Sequence, residues 1–377
     1  MTVPLFTDRT PEIGQPVDSL PTPAVVVDLD VLDRNIERFR SLAETHNVDV
    51  CSHTKAHKIP AIARRQQREF GGGVMCQKLS EAEVMARHGV DDILLVCPVV
   101  NEPKLEQLCW VADRTDRFAT TVDCPGNVEP LQAAARRRDE SIDVILELDM
   151  GLERMGVRPG EDVREMASFI EAQPDLELVG LLGHDSHVTY GAETEAEFEA
   201  GCQEIVEQLE HTVDALRDGG SDPTRVISGS TATAPYLAAA DVVTEIDPGR
   251  YVFNDVETLE NGHTISVADC ALTVHTTVLS RPTEDRAIVD TGSKTVSFLN
   301  EPLPVPKHRE DVIFYNKSSE HGYVDVSEHD ESVEVGERLE FVVPNCYGAV
   351  NLQETITGVR DGRVEEVWHV AARGRDK

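Results

Sequence analysis

Short runs of β-branched and aliphatic residues alternate with longer amphipathic stretches from about residue 48 onward. This alternation is typical of βα units, in which parallel strands are covered by helices. We interpret eight of the runs as strands: Val48–Lys55, Gly73–Gln77, Asp92–Cys97, Arg117–Asp123, Asp143–Asp149, Glu177–His184, Arg225–Ser228 and Val243–Ile246. Eight strands at this spacing predict an α/β fold, a closed (β/α)8 TIM-type barrel, with a doubly wound open sheet as the alternative.

The pattern differs at the two ends of the chain. Ala24–Leu29 leads into a helix predicted over residues 31–44, ahead of the barrel strands. After about residue 262, alternating apolar and polar positions predict a β-rich C-terminal domain with runs at Thr264–Leu279, Arg286–Asp290, Gly322–Val326, Arg338–Val343 and Val364–Val370. We therefore divide the chain into a barrel over residues 24–261 and a β domain over residues 262–377. The proline-rich segment Glu301–Lys307 is predicted to be a loop.

Composition is that of a globular protein, with 40% hydrophobic and 28% charged residues among 377. No apolar run approaches the ~18 to 20 residues of a membrane helix, and the N-terminus lacks a targeting pattern. We expect a cytoplasmic protein. Its eight cysteines have no metal-ligand or disulfide spacing, and most should be reduced and buried.

The formal charge of −34 comes from acids spread along the whole chain. Such a surface repels nucleic acid and anionic membranes, so we expect neither as a partner. It fits a protein kept soluble in concentrated salt, where screening removes much of the self-repulsion. An acidic protein from an ordinary environment is the alternative.

Candidate chemistry lies where the predicted strands end, because a barrel places its active site there. Lys55 ends the first run, flanked by His53 and His57. A buried lysine can have a lowered pKa and form a Schiff base, whereas a surface lysine at a strand end would have no such role. The fifth run is followed by Arg154, which could reach an anionic oxygen.

The seventh run ends in Ser228-Gly229-Ser230-Thr231, small hydroxyl residues that open a short helix. Such a turn can bind a phosphate, although a simple helix cap has the same composition. Tyr251, after the eighth run, should lie beside it. The sixth run leads into residues 183–190, rich in titratable groups, where any one histidine can equally be structural. A Schiff-base lysine and a phosphate cup on distant strands together indicate pyridoxal phosphate.

At these residues the sequence resembles the D-threonine aldolase and D-serine dehydratase group of alanine-racemase-fold enzymes. The resemblance covers nearly the whole chain and rests on segments 53–58, 150–157, 228–231, 248–255, 289–294 and 319–322, with Trp368 and 373–375. It implies that residues 1–23 join the β domain, and that the protein is a homodimer whose active sites lie near the subunit interface.

The resemblance also implies roles for single residues. Lys55 would hold the cofactor, Arg154 would approach its ring phenolate, and Tyr190 is a candidate for the ring nitrogen. The phosphate would be held by four residues: Gly229, Ser230, Thr231 and Tyr251.

The chain departs from the family pattern near its C-terminus. Family members usually follow Pro-Asn with a histidine and then a cysteine or aspartate that bind a divalent metal. Here the segment is Pro344-Asn345-Cys346-Tyr347-Gly348. It contains no histidine, and its spacing is one residue shorter than in the family pattern. Cys346 could still be a ligand with His321 or His187, but we favour weak or absent metal dependence. Cys51-Ser52 also replaces the usual Arg-Pro before His53.

The predicted function is a pyridoxal-phosphate-dependent lyase that cleaves a small D-β-hydroxy amino acid such as D-threonine by retro-aldol reaction. The β-hydroxyl proton would be taken by His57, His187 or a metal-bound water. Alternatives are D-serine dehydration, racemisation, a non-catalytic pyridoxal-phosphate carrier and a barrel used only as a binding scaffold. The β domain disfavours a carrier, and Lys55 together with the cup disfavours a scaffold.

Overall fold

The computed structural model describes residues 10–138, 141–160, 162–261, 265–298, 302–328 and 333–377. The predicted positions Thr264 and Glu301 and the first nine residues of the N-terminal segment lie outside these ranges. The described chain starts its regular structure with strand β1 (Ala24–Asp28) and helix α1 (Leu29–His46). The Asp28 side chain accepts hydrogen bonds from the backbone of Asp30 and Val31, which fixes where α1 begins.

A parallel sheet of nine short segments forms the barrel. In the order β2-β10-β9-β8-β7-β6-β5-β4-β3, they are β2 (Asp49–Val50), β3 (Ser52–His53), β4 (Val74–Cys76), β5 (Asp92–Leu95), β6 (Arg117–Val122), β7 (Ile142–Leu148), β8 (Leu176–Gly183), β9 (Arg225–Ile227) and β10 (Glu245–Ile246). Only Cys51 separates β2 from β3, and its N–H donates to the carbonyl of Ile246 at 2.9 Å. The two segments are therefore halves of one strand, and the predicted eight-stranded barrel is confirmed.

Helices surround this sheet, as the amphipathic stretches predict: α2 (Pro60–Glu69), α3 (Leu79–Arg87), α4 (Glu102–Ala112), α5 (Pro125–Arg138), α6 (Asp162–Glu171), α7 (Ser186–Gly191), α8 (Glu195–Gly219), α9 (Ala234–Leu237) and α10 (Val256–Asn261). Short 3-10 helices span Val17–Ser19, Thr54–Ala56, Arg250–Val252 and Val267–Asp269.

Side chains fill the inside of the barrel. Seven of the eight strands contribute buried apolar side chains to one cluster, which contains Cys51, Met75, Leu94, Val96, Ala119, Ile145, Leu182 and Ile227. A filled interior leaves the mouth at the carboxyl ends of the strands as the place for a site.

The second sheet contains the C-terminal strands: β11 (Leu272–Thr283), β12 (Arg286–Val289), β13 (Val305–Pro306), β14 (Ile313–Lys317), β15 (Gly322–Asp325), β16 (Arg338–Val342), β17 (Thr355–Arg360) and β18 (Arg363–His369). Its order is β14-β15-β12-β11-β1-β17-β18, with β16 on β11 and β13 on β16. Helix α11 (Cys346–Leu352) connects β16 to β17. The β-rich C-terminal domain is confirmed, although β14 and β17 were not predicted and β13 lies in the predicted loop.

Strand β1 belongs to this second sheet. It pairs antiparallel with β11, where Val25 faces Val274, and parallel with β17, where Val27 faces Gly358. Our division of the chain assigns residues 24–28 to the barrel, whereas their hydrogen bonds place them in the second sheet. All of Val25, Val26 and Val27 are buried, so this strand is a central one.

Candidate active site

A cavity of about 160 Å³ opens at the carboxyl ends of the barrel strands. It is lined by His53, Lys55, His184, Ser186, Thr189, Tyr190, Ser230, Thr231, Ala232, Asp247, Gly249, Arg250, Glu257, Thr258, Asn261 and Tyr347. A smaller cavity of about 10 Å³ shares His53, Lys55, His184 and Asp247 with it and also reaches Arg154. The strand ends that the sequence singles out therefore meet around two adjoining cavities that share Lys55.

Lys55 stands on the 3-10 turn that follows β3, and its amine faces the cavity. Burial lowers the pKa of Lys55 to about 8, and the carboxylate of Asp247 opposes part of that effect. The amine lies 5.5 Å from the centre of the Tyr347 ring. A lysine with this pKa is partly neutral near pH 7 to 8, which is the form that attacks an aldehyde.

The turns after β9 and β10 form a cup of backbone donors. Thr231 Oγ1 accepts hydrogen bonds from the N–H groups of Gly249 and Tyr251, both at 3.2 Å. Gly229 has φ +131°, and a Cβ there would lie 2.7 Å from Cγ2 of Ile246, so only glycine fits. Two amides that converge on one acceptor oxygen, as these do on Thr231 Oγ1, have the arrangement that a phosphate oxygen needs.

The Asp185 side chain holds the turn that forms this cup in place. Its buried carboxylate accepts from Thr233 Oγ1 at 2.8 Å and from the N–H of Ser230 at 3.3 Å. Burial raises the pKa of Asp185, and the Asp247 charge adds to this. The backbone N–H of Ser230 is thus turned towards Asp185, while its hydroxyl contacts that of Thr233.

Arg154 follows β7 and reaches the smaller cavity beside Lys55. Its guanidinium lies 3.4 Å from Glu147, a carboxyl group inside the barrel. Burial raises the pKa of Glu147, which Arg154 opposes. The pairing places a positive charge at the cavity, where it can meet an anionic oxygen.

Tyr251 contributes its backbone to the cup but not its side chain. The phenol is buried on the other side of the turn, where its hydroxyl lies 2.9 Å from both Ser52 Oγ and Gln66 Nε2. His57 belongs to the same network, with Nε2 3.0 Å from Gln66 Oε1 and Nδ1 accepting from the N–H of Ile59. Burial lowers the pKa of His57 to about 4. Both ring nitrogens of His57 are thus engaged away from the cavity.

The two other predicted residues lie at different places. His187 lines a separate cavity with Val188 and Gly191, outside the space around Lys55. Tyr190 does line the main cavity, where its hydroxyl donates to Glu257 at 2.9 Å. Burial raises the pKa of Tyr190 to about 12. Of the histidines in the 183–190 loop, His184 faces the cavity.

Comparisons with known proteins agree with this geometry. Residues 27–255 match the model of the alanine racemase N-terminal domain, and residues 271–359 match that of a putative serine dehydratase domain. The chain belongs to the alanine-racemase-fold family.

Individual members of the family resemble the whole chain. A 3-hydroxy-D-aspartate aldolase of Paracoccus denitrificans (strain Pd 1222) is 31% identical, with 97% of each chain covered. A D-threonine aldolase of Arthrobacter sp. is 31% identical, covering 96% of this chain and 95% of the relative. The crystal structure of D-threonine aldolase from Filomicrobium marinum superposes with a TM-score of 0.91 at 32% identity, covering 97% of this chain and 99% of that one. The predicted resemblance and the D-threonine-aldolase-like lyase class are confirmed, and the family implies pyridoxal phosphate.

The segment with which other family members bind a metal is built differently in this member. Cys346 is fully buried, its N–H donates to Asp255 at 2.7 Å, and burial raises the pKa of its thiol well above the usual value. The carboxylates beside it pair with Arg250, Asp255 at 2.7 Å and Glu257 at 2.9 Å. The positive charge of Arg250 thus already neutralises the two carboxylates that a metal ion would need as ligands.

The other histidines considered for this site do not join it. His321 is exposed in the turn between β14 and β15, and His187 lines its separate cavity. Across the described ranges, no three His, Cys, Asp or Glu side chains are grouped to hold a metal ion. The donors present here do not fit the family's metal.

Several cavity residues were not assigned a role from the sequence. Asp247, Arg250 and Tyr347 all line it, and the first two belong to the Asp-Pro-Gly-Arg-Tyr run after the eighth strand. That run was the available signal, because two charged residues follow a buried strand.

None of the described helices is long and apolar enough to cross a bilayer.

Proposed function

We propose that this chain is a pyridoxal-phosphate-dependent lyase that cleaves a D-β-hydroxy amino acid such as D-threonine into glycine and an aldehyde. The observation that carries the proposal is that Lys55 lines two adjoining cavities, one with the cup at Thr231 and the other with Arg154. The aldolase names of relatives 31% identical over nearly the full length support it.

The residues present suit the cofactor. The Lys55 amine would attach the aldehyde carbon, the amides of Gly249 and Tyr251 with Thr231 would bind the phosphate, and Arg154 would bind the ring phenolate. When bound, pyridoxal phosphate supplies an electron sink for the pair left at the α-carbon as the Cα–Cβ bond breaks.

Tyr347 and Arg250 bind the substrate's β-oxygen in place of a metal. Arg250 lies over the Tyr347 ring at 4.3 Å, and Lys55 approaches the same ring at 5.5 Å. Burial raises the pKa of Tyr347, so its hydroxyl keeps its proton and donates a hydrogen bond. Lys55, with its pKa of about 8, can accept a proton in the same space near neutral pH.

Dehydration of D-serine is the second candidate function. The match of residues 271–359 to a serine dehydratase domain favours it. In that reaction Lys55 removes the α-proton and the β-hydroxyl leaves. The same cavity residues would serve both reactions, so the products decide between them.

The test is product analysis on the purified holoenzyme. D-threonine and D-serine are supplied separately, with a chelator or with added Mn²⁺ or Zn²⁺, and L-threonine and the Lys55→Ala variant are the controls. Glycine and acetaldehyde from D-threonine support the aldolase. Ammonia and a 2-oxo acid as the main products would show that the protein is a dehydratase. Turnover by Lys55→Ala would contradict both the aldolase and the dehydratase function.

We also propose that the protein works in the cytoplasm as a homodimer, as the family resemblance implies. Tyr190, 54% exposed at the mouth of the cavity, is an aromatic side chain that a second subunit could cover. Light scattering at micromolar concentration tests the assembly, and a monomer with full activity would contradict it.

A further inference from the structure

Asp247 holds a buried carboxylate oxygen that has no partner in the protein. It follows β10, and its side chain is 2% exposed. Oδ1 makes no hydrogen bond, whereas Oδ2 lies 3.6 Å from Nδ1 of His184. Because a buried carboxylate without a donor is costly, a donor is expected from whatever fills the adjoining space.

That space is the proposed cofactor site. Asp247 lines both the main cavity with Lys55 and the cup, and the smaller one with Lys55 and Arg154. It stands two residues before Gly249, whose amide belongs to the cup. Asp247 therefore borders the space between the three proposed anchors, Lys55, Arg154 and the cup, where the cofactor ring would lie.

The charged groups near Asp247 form no hydrogen bond with Oδ1, so this oxygen is available to a ligand. His184 is within reach of Oδ2, and Asp185 is turned to Ser230 and Thr233. Lys55 influences Asp247 only through its charge, because no ion pair within 4.0 Å joins the two side chains. Once Lys55 is bound covalently to an aldehyde carbon, that amine is also no longer free to approach.

A pyridine ring offers one polar atom besides its substituents, the ring nitrogen across from the carbon that carries the aldehyde. A carboxylate can only accept a hydrogen bond, so it stabilises the nitrogen in its protonated, donating form. Pyridoxal-phosphate proteins use either an acidic or an arginine partner at this nitrogen.

We propose that Asp247, held by His184, accepts a hydrogen bond from the protonated ring nitrogen of pyridoxal phosphate and keeps the ring positively charged. This rests on the proposed cofactor. A cationic ring withdraws electrons more strongly than a neutral one, which suits cleavage of a carbon–carbon bond. Asp247 is thus the residue that sets the electronic state of the cofactor. It takes the place of Tyr190, the candidate for the ring nitrogen from the sequence, whose hydroxyl donates to Glu257.

The direct test is ¹⁵N NMR of the holoenzyme reconstituted with cofactor labelled at the ring nitrogen. We expect the resonance of a protonated pyridine in the wild type and a shift towards the neutral position in Asp247→Asn. The variant should keep the covalent link to Lys55, trapped by borohydride. It should bind the cofactor about 10- to 100-fold more weakly and lose roughly 10²-fold in kcat/KM with D-threonine.

A matched variant controls for removal of a buried carboxyl group near Lys55. Glu81 is fully buried and accepts from Thr54 Oγ1 at 2.6 Å, but it lines neither cavity. Glu81→Gln should leave the nitrogen resonance unchanged. His184→Asn should keep the nitrogen protonated but broaden its resonance, because Asp247 loses the group that orients it.

Three results would overturn the assignment. They are a neutral ring nitrogen in the wild type, a nitrogen still protonated in Asp247→Asn, or loss of its proton in His184→Asn alone. The wild-type spectrum decides even if Asp247→Asn does not fold. A labelled cofactor attached at Lys55 with a neutral nitrogen leaves the proposed function standing, whereas failure of borohydride to trap cofactor at Lys55 removes both.

Discussion

The guanidinium carbon of Arg250 lies 4.3 Å from the centre of the Tyr347 ring, and both side chains line the cavity that holds Lys55. Arg250 is fixed there by ion pairs to Asp255 and Glu257. A permanent positive charge thus stands beside the phenol of Tyr347, which lies in the segment that departs from the family pattern. The first two predictions follow from this pair.

Tyr347→Phe should lower kcat/KM for D-threonine about tenfold, because it removes one hydrogen bond to the β-oxygen and keeps the ring under Arg250. Cofactor binding, measured by its visible absorbance, should be unchanged. Tyr315→Phe is the control, since Tyr315 is partly exposed on the second sheet. A Tyr347→Phe enzyme with full activity would show that this hydroxyl has no part in binding the substrate.

Activity should survive prolonged chelation, and Cys346→Ala should not change the response to added Mn²⁺ or Zn²⁺. The reason is that the Cys346 thiol is buried with a raised pKa and its neighbouring carboxylates are paired with Arg250. Metal analysis of protein purified without added ions checks this. Tightly bound stoichiometric metal, needed for activity and lost in Cys346→Ala, would be evidence against it.

Lys55→Ala should abolish the visible absorbance of the bound cofactor and all turnover, because it removes the amine that attaches the aldehyde carbon. Lys58→Ala is the matched control: Lys58 bonds to Asn351 at 3.1 Å and Asp376 at 3.0 Å, away from the cavity. It should keep the absorbance. The opposite result for the two variants would move the attachment site to Lys58.

Folding stability should fall as the pH drops from 6.5 to 4, in part through His57. Its pKa is lowered to about 4 in the folded state against 6.5 in the unfolded chain, so the unfolded state binds the extra proton first. This shift corresponds to about 3 kcal/mol lost across that window. His53, whose pKa burial also lowers, adds in the same direction.

Urea unfolding at several pH values measures that slope. His57→Gln should be less stable at pH 7 and show a shallower pH dependence, whereas exposed His46→Gln should behave as the wild type. An unchanged slope in His57→Gln would mean that His57 takes up its proton without unfolding.

The melting temperature should rise with KCl concentration, since the formal charge of −34 repels itself when unscreened. In dilute buffer at 0.01 M the Debye length is about 30 Å, so repulsion acts across the whole surface. Calorimetry from dilute buffer to molar KCl checks this, with NaCl as a second salt. A flat profile would place the protein among ordinary acidic enzymes.

The barrel could be predicted because apolar runs such as Ile142–Leu148 are bounded by charged and glycine-containing turns. The strand ends then identify Lys55 and the turn at Gly229. Side-chain direction within a turn could not be predicted: the amide of Tyr251 faces the cup while its phenol points to Ser52. His57 likewise lies only two residues from Lys55, yet faces Gln66.

Other elements were missed for physical reasons. Strand β17 contains Gly358, against which Leu29 and Trp368 pack closely, and a glycine weakens any strand signal. The apolar segment at Val25 could not show that its partner Val274 lies about 250 residues later, since pairing over such separations leaves no local pattern. Asp247 and Arg250 were visible as charges, but their roles depend on which cavity they line.

The position of β1 between β11 and β17 also sets an order of events during synthesis. Val25, Val26 and Val27 leave the ribosome early, but one of their pairing partners, Thr357, is made only near the end of the chain. The barrel strands between them can assemble first, because all of their partners have been made by then. Until β17 has been made, this apolar strand lacks one of its two native neighbours, and it is the segment that a chaperone would need to shield.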